Sequence, residues 1–207
     1  MITHLAAANE YKIFHLKSPE IWALVEQAKV YYVGGFHLTV SVPAIMALAE
    51  EAAKKNKVFV LNLSAPFIPQ FFKEPLGGVL PYCDYVIGNE TEALAYAESQ
   101  SLDTKDIKAI ARHIADLEKV NKQRKRIAVI TQGTGETIVA VQGEKEANGF
   151  AVHPVPKEEI CDTTGAGYVL LPHYGLITPG RRTGCDDTPI AMLLRRDSLL
   201  VCWRGRQ

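Results

Sequence analysis

Neither sign of charge is in excess in this sequence. Its 23 lysines and arginines are matched by 23 acidic residues, which leaves no electrostatic footprint for nucleic acid or an anionic membrane. Long apolar runs are also missing, and none approaches the ~20 residues needed to cross a bilayer. The opening stretch Met1 to Asn9 lacks the basic and apolar regions of a secretory signal. The cysteines number only 4, Cys83, Cys161, Cys185 and Cys202, and none is in CxxC spacing. That excludes a zinc site or disulfide framework and points to reduced thiols in a cytosolic protein. The 6 histidines show no metal-ligand spacing. No GxGxxG follows an early strand, which argues against a dinucleotide-dependent dehydrogenase. Lysine itself disappears after Gly167: 14 lysines and 3 arginines precede that point, while the last 40 residues hold 6 arginines and no lysine.

What is present is the composition of one α/β domain: 207 residues, 47% hydrophobic and 22% charged. Ser18-Pro19 reads as a helix cap followed by an N1 proline, with Ile21, Leu24, Val25 and Ala28 on one helical face. A second amphipathic helix runs from Pro43 through Ile45, Leu48, Ala49, Ala52 and Ala53. A short helix is predicted around Glu92 to Glu98. A stronger one, capped by Asp103 or Thr104, places Ile107, Ile110, Ala111, Ile114 and Leu117 on one side. Between these helices lie short β-rich runs around Tyr31, Val60, Val86 and Val129, of the kind buried in a parallel sheet. Thr137 to Val141 and Phe150 to Val155 suggest an added antiparallel pair. The alternation implies a mostly parallel sheet covered by helices. The basic run Lys122 to Arg126 reads as a solvated loop.

Three motifs carry chemistry. Asp162-Thr163-Thr164-Gly165-Ala166-Gly167 is a small-residue loop after a β segment, where backbone N–H groups can converge on an anion. Its bland alternative is a glycine turn before a helix. Gly88-Asn89-Glu90-Thr91-Glu92 follows a strand and offers a carboxylate, or equally a cap for the next helix. Thr131-Gln132-Gly133 sits at a strand end, where ligands of parallel sheets bind, and could also be a plain turn.

Taken together these motifs resemble the ribokinase-like sugar and nucleoside kinases. Leu5 to Asn9 with Tyr11-Lys12, Gly34-Gly35-Phe36, Leu61 to Ile68 with Gln70-Phe71, and Arg126 to Gly133 are similar to the adenosine kinase branch, in order, across roughly residues 3 to 167. The Asn62 to Gln70 stretch favours that branch over a sugar kinase. The resemblance implies a ribokinase-like α/β fold that transfers the ATP γ-phosphate to the 5′-hydroxyl of adenosine. Gly165, Ala166 and Gly167 would form the anion hole. Asn89, Glu92, Thr131, Gln132 and Gly133 would contact ATP, and Glu92 would help hold Mg²⁺ through water. Phe67 would lie by the base, although an ordinary core role competes. The implied protein is a cytoplasmic monomer, with the nucleus as a further compartment.

Two departures qualify the resemblance. The family's base aspartate is replaced by Tyr168, and a phenol of ordinary pKa near 10 is a poor base at neutral pH. The small β lid and early ribose contacts have no counterpart before Leu5. The expected organisation is therefore a partial kinase domain over residues 1–167 and a poorly ordered tail over 168–207. The chain itself is expected to be inactive; the alternative is a non-catalytic fragment, retained-intron isoform or pseudoenzyme that binds a nucleotide or a partner. Gly167-Tyr168-Val169 can be encoded by GGG-TAT-GTN, which contains the splice-donor-like GTATGT. Sequencing the transcript across the Gly167 codon is expected to reveal a spliced form reading Gly-Ala-Gly-Asp, and a message without an intron there would remove this explanation.

Overall fold

Residues 10–152 are described in a computed structural model. Chain contacts separate Met1–Ala151 from Val152–Gln207, and the fold below is that of the first unit. The boundary predicted after Gly167, the loose packing predicted for 168–207 and the Gly165–Gly167 loop lie outside the described residues.

The strands β1 (Val30–Gly34), β2 (Val58–Asn62), β3 (Tyr85–Asn89) and β4 (Ile127–Thr131) lie side by side in parallel. Antiparallel β5 (Thr137–Val141) and β6 (Asn148–Phe150) complete a six-stranded sheet in sequential order. The four parallel strands coincide with the four predicted β runs. Phe59, Leu61, Val86, Ala128 and Ile130 join the helix-packed core, and the alternate residues Val60, Ile87 and Val129 are buried as well. Burial on both sides explains why these strands read as continuous apolar runs rather than as alternation. The last strand runs Asn148–Phe150 and shares only Phe150 with the predicted Phe150 to Val155, because the antiparallel register pairs Asn148 with Val139 and Phe150 with Thr137 irrespective of where the apolar run starts; residues 151 and 152 are not strand, and 153–155 lie outside the described residues.

The connections are helical, as parallel neighbours require. After the short α1 (Ile13–Leu16), α2 (Pro19–Gln27) precedes β1. Between β1 and β2 runs α3 (Val42–Lys55), capped by the Ser41 hydroxyl and ended by Asn56 in a left-handed conformation, φ 52°. Of its predicted face, Ile45, Ala49 and Ala52 are buried and Leu48 packs half-buried on the core, whereas Ala53 is only half-buried and the unpredicted Ala44 is buried. Two short helices, α4 (Phe67–Phe71) and α5 (Lys73–Val79), lead to β3. Two more, α6 (Glu90–Ser99) and α7 (Ile107–Asp116), lead to β4.

Several local expectations need correction. The α2 face is not core: Ile21 and Leu24 are 40% and 62% exposed, and only Val25 and Ala28 reach the cluster. Polar contacts hold its end instead, with Tyr31 Oη and Lys57 Nζ both donating to the Val25 carbonyl. The cap of α7 is Asp106, whose carboxylate accepts from Lys108 N and Ala109 N; Thr104 supports it by accepting from Asp106 N. The buried face begins at Ile107, so the nearest acid on the N-terminal side captures the orphan N–H groups.

The basic run is only partly solvated. Lys122 and Lys125 are exposed, but Arg126 is fully buried. Its guanidinium donates to five carbonyls: Cys83 and Leu80 beside β3, and Ile114, Leu117 and Glu118 at the end of α7. These include last-turn carbonyls that have no partner within the helix. Just before β3, buried Asp84 accepts from Lys119 Nζ, Arg124 Nη1 and Phe59 N. Burial pulls the Lys119 pKa down, and its contact with Asp84 opposes that shift.

Arg126→Met would leave those carbonyls in the interior without donors. It is predicted to destabilise the protein by about 3–5 kcal/mol, whereas exposed Lys122→Ala should stay within about 0.5 kcal/mol. Urea denaturation of both variants checks the contrast, and equal midpoints would contradict it.

Candidate functional site

Parallel register brings the strand exits to one edge of the sheet. Gly34 pairs with Asn62, Asn62 with Ile87, and Asn89 with Thr131. Such edges are the usual ligand-binding edge of open α/β sheets.

At the β3 exit, Asn89 and Glu92 form a reciprocal capping box on α6. Asn89 Oδ1 accepts from Glu92 N at 2.9 Å, and Glu92 Oε2 accepts from Asn89 N at 3.0 Å. Asn89 Nδ2 also donates to Glu92 Oε1 at 2.9 Å, and Thr91 Oγ1 donates to Asn89 Oδ1 at 2.7 Å. The helix-capping alternative offered by the sequence is therefore what the backbone uses here. The same bonds hold both oxygens of one carboxylate in a fixed orientation at the strand exit. Glu92 is only 5% exposed. Its pKa is raised by burial, against the downward pull of the Asn89 N–H.

The β4 exit lies alongside. Thr131 Oγ1 donates to the Gly88 carbonyl at 3.4 Å, and a Cβ built on Gly88 would stand 3.1 Å from Glu92 Oε2. Thr131 and Glu92 thus flank the same strand end. Gln132 Nε2 donates to the Glu136 carbonyl, Gly133 turns with φ 58°, and Gly135 N closes the turn onto the Gln132 carbonyl. Asn89, Glu92 and Thr131 thus meet at adjacent strand exits, with Gln132 and Gly133 next along the chain; the single cleft expected to join them to the Gly165–Gly167 loop involves residues outside the described ones.

Phe67 begins α4 beyond the β2 exit and is 38% exposed, so it is not core. Its ring meets Phe36 at 5.8 Å and Phe72 at 6.5 Å between centroids. Phe36 follows the β1 exit in a 3-10 turn, Gly35–Thr39. Sequence reasoning gave Phe36 and Ser64 no role; the adjacent glycine pair was the one local signal. A depression of about 230 Å³ lined by Glu118, Lys119, Lys122, Arg124, Lys125 and Gln142 opens elsewhere, along the segment between α7 and β4 and the end of β5, and has no part in this cluster. No group of three or more His, Cys, Asp or Glu residues able to cage a metal occurs among the described residues. No described helix is long and apolar enough to cross a membrane.

The mixed six-stranded sheet flanked by helices is a ribokinase-like α/β fold. Residues 1–167 match the pfkB family of carbohydrate kinases, and the chain belongs to that family. Relatives within it include adenosine kinases. The chain is 52% identical over 167 residues to adenosine kinase of Schizosaccharomyces pombe, covering 81% of this chain and 48% of the relative. It is 50% identical over 167 residues to adenosine kinase 2 of Arabidopsis thaliana, with the same coverage of 81% and 48%. The Anopheles gambiae adenosine kinase solved with P1,P4-di(adenosine-5) tetraphosphate superposes with a TM-score of 0.77 at 42% identity, over 79% of this chain and 48% of that one. The Schistosoma mansoni enzyme in complex with adenosine and AMP gives 0.73 at 36%, over 81% and 49%. The chain spans about half the length of the curated relatives it matches.

The raised pKa of Glu92 has a definite sign. The folded state keeps the proton to higher pH than the unfolded chain, so the associated stability is full below the ordinary value of 4.5 and is lost as pH rises through the raised folded value. Glu92→Gln cannot ionise and is predicted to flatten this limb. Urea midpoints followed from acid to neutral pH should show wild type losing ground relative to the variant, and parallel curves would contradict a buried, ionising carboxylate.

Proposed function

We propose that this chain carries part of an adenosine kinase site, in which ATP gives its γ-phosphate to the 5′-hydroxyl of adenosine to form AMP, a purine-salvage step. The observation that carries this reading is the gathering of the Asn89–Glu92 box, Thr131-Gln132-Gly133 and the Phe67 ring at strand exits of one sheet edge. Its support is the adenosine kinase relatives and the ligands in their solved structures.

In this assignment the polyphosphate of ATP lies along the β3 and β4 exits and the nucleoside base against Phe67, using the aromatic face. Gly165, Ala166 and Gly167 lie outside the described residues; by resemblance alone their backbone N–H groups would stabilise the phosphoryl group in flight. Mg²⁺ fits the donor set as an ion that keeps most of its waters. Glu92 offers one carboxylate whose oxygens are already oriented by Asn89, which suits contact through water rather than a protein cage. When bound, the ion would neutralise developing charge on phosphate oxygens. The protein works as a cytoplasmic monomer.

Tyr168 occupies the position of the family's base, and this residue favours a second component of the proposal: the 207-residue chain binds nucleotide without turning adenosine over. General-base assistance typically contributes ~10²–10⁴ in rate. Phosphate transfer from labelled ATP to adenosine, measured beside the Schizosaccharomyces pombe relative, is expected to be at least about 10²-fold slower for this chain. Turnover comparable to the relative would contradict the assignment of inactivity. Isothermal titration with adenosine reads binding separately, and absence of any heat would contradict the nucleoside site.

A further inference from the structure

The segment between α7 and β4 concentrates positive charge. From Glu118 to Arg126 the chain carries five cations, Lys119, Lys122, Arg124, Lys125 and Arg126, against one acid. Inside the protein a single carboxylate answers three of them. Asp84 accepts from Lys119 Nζ and Arg124 Nη1, while the Arg126 guanidinium has only carbonyls for partners. The excess is felt locally. Burial is the main cause of the lowered Lys119 pKa; Asp84 pulls it back up, and the charges of Arg126 and Arg124 press it further down. Net positive charge behind a concave surface draws anions, because low-dielectric walls focus the field at the opening.

Such a surface is present here, as the depression of about 230 Å³ described above. Some of its lining groups are committed and others are free to bind. Lys119 Nζ is spent on Asp84 and the Arg124 carbonyl, and the Gln142 amide on Arg126 N and the Leu117 carbonyl. Arg124 is clamped by Asp84 and by the carbonyl and side chain of Asn56, which leaves its Nε without a partner. Lys122 has neither a hydrogen bond nor an ion pair among the described residues. Lys125 Nζ reaches only Glu144, at 4.0 Å between two exposed side chains. One rigidly held guanidinium and two uncommitted ammonium groups therefore line a single opening, with Glu118 the one acid among the lining residues.

We propose that this depression, at the strand entries and away from the cluster of Asn89, Glu92 and Thr131, is an oxyanion site in which Arg124, Lys122 and Lys125 hold a phosphate dianion, free or as a compact phosphomonoester. The planar guanidinium and the two ammonium groups supply charge-assisted hydrogen bonds to its oxygens. The extent of the patch limits the ligand. Asp116, which accepts from Gly143 N, Glu118 and Glu144 border it, and the chain as a whole is neutral, so a polyanion finds no continuous basic track to follow. The assignment stands on these groups alone and does not depend on the adenosine reading of the opposite edge.

The test follows the backbone amides of the full 207-residue chain by NMR as sodium phosphate is added at low ionic strength, beside sodium chloride at matched ionic strength. Saturating shifts at Lys119 to Lys125 and at Gln142 and Gly143 are expected with phosphate and not with chloride. A second arm with glycerol 3-phosphate separates the sources: saturation there as well assigns a phosphomonoester, and saturation with the free ion alone assigns orthophosphate. Exchanging both exposed lysines, Lys122→Gln with Lys125→Gln, should weaken phosphate binding about tenfold and leave the thermal midpoint in chloride unchanged. Glu118→Gln should tighten it about threefold, an effect that a purely structural role for this segment would not produce. Wild-type shifts that only track chloride, or that appear only at the strand exits, overturn the site. So does a double variant that binds phosphate as tightly as the native chain.

Discussion

The register of the parallel strands is the constraint on which everything else depends, and Asp84 is where it is set. Its carboxylate takes the Phe59 N–H, its own N–H reaches the Phe59 carbonyl, and its carbonyl receives Ile127 N. Three strands are thus fixed against one residue at their entry. A slip of one position would turn every side chain to the other face and shift the exits as well. Lys119 and Arg124 neutralise the buried acid. Arg126, one residue ahead of β4, ties the entry side to the end of α7 through five carbonyls.

From that anchoring the geometry of the opposite edge follows. β1 and β2 end level, β3 and β4 end level, and the second pair runs two residues further along the same edge. What they deliver at that edge depends on the first residues after each exit: Gly35 and Phe36, Leu63 and Ser64, Glu90 to Glu92, Gln132 and Gly133. Each exit uses a different local device. These are a glycine at a backbone contact, a strained turn, a capping box and a left-handed glycine turn. The site is a set of chain reversals held on a rigid platform, which favours fixed positions over adaptable ones.

Much of this was legible in the sequence, for identifiable reasons. Buried strands such as Val58 to Asn62 and helices such as Val42 to Lys55 announce themselves by apolar run and apolar period. The motifs at Asn89 to Glu92 and Thr131 to Gly133 could be assigned to one edge because both follow strands directly. Illegible features were those whose partners are remote. Arg126 reads as one more cation in a basic run, and only the carbonyls of Leu80, Cys83 and Leu117 make it a core residue. The exposure of Leu24 could not be foreseen, since a helical apolar stripe does not say whether anything covers it. Helices α4 and α5, carrying Pro69 and the Gly77-Gly78 pair, are short and poor in helix formers, so tertiary contact decides their conformation over propensity. Ser64 gave no signal, because a non-glycine residue at positive φ is invisible without its partners.

On the function proposed above, one sheet edge would hold both a phosphate side, at the β3 and β4 exits, and a base side, at the β1 and β2 exits. Backbone amide NMR of this chain, titrated separately with Mg·ATP and with adenosine, tests it most directly. The account predicts that Mg·ATP moves the amides of Asn89 to Glu92 and Thr131 to Gly133, and that adenosine moves those around Phe36, Ser64 and Phe67. Shifts confined to the strand entries around Lys119, Arg124 and Gln142, with the exits silent, would contradict it.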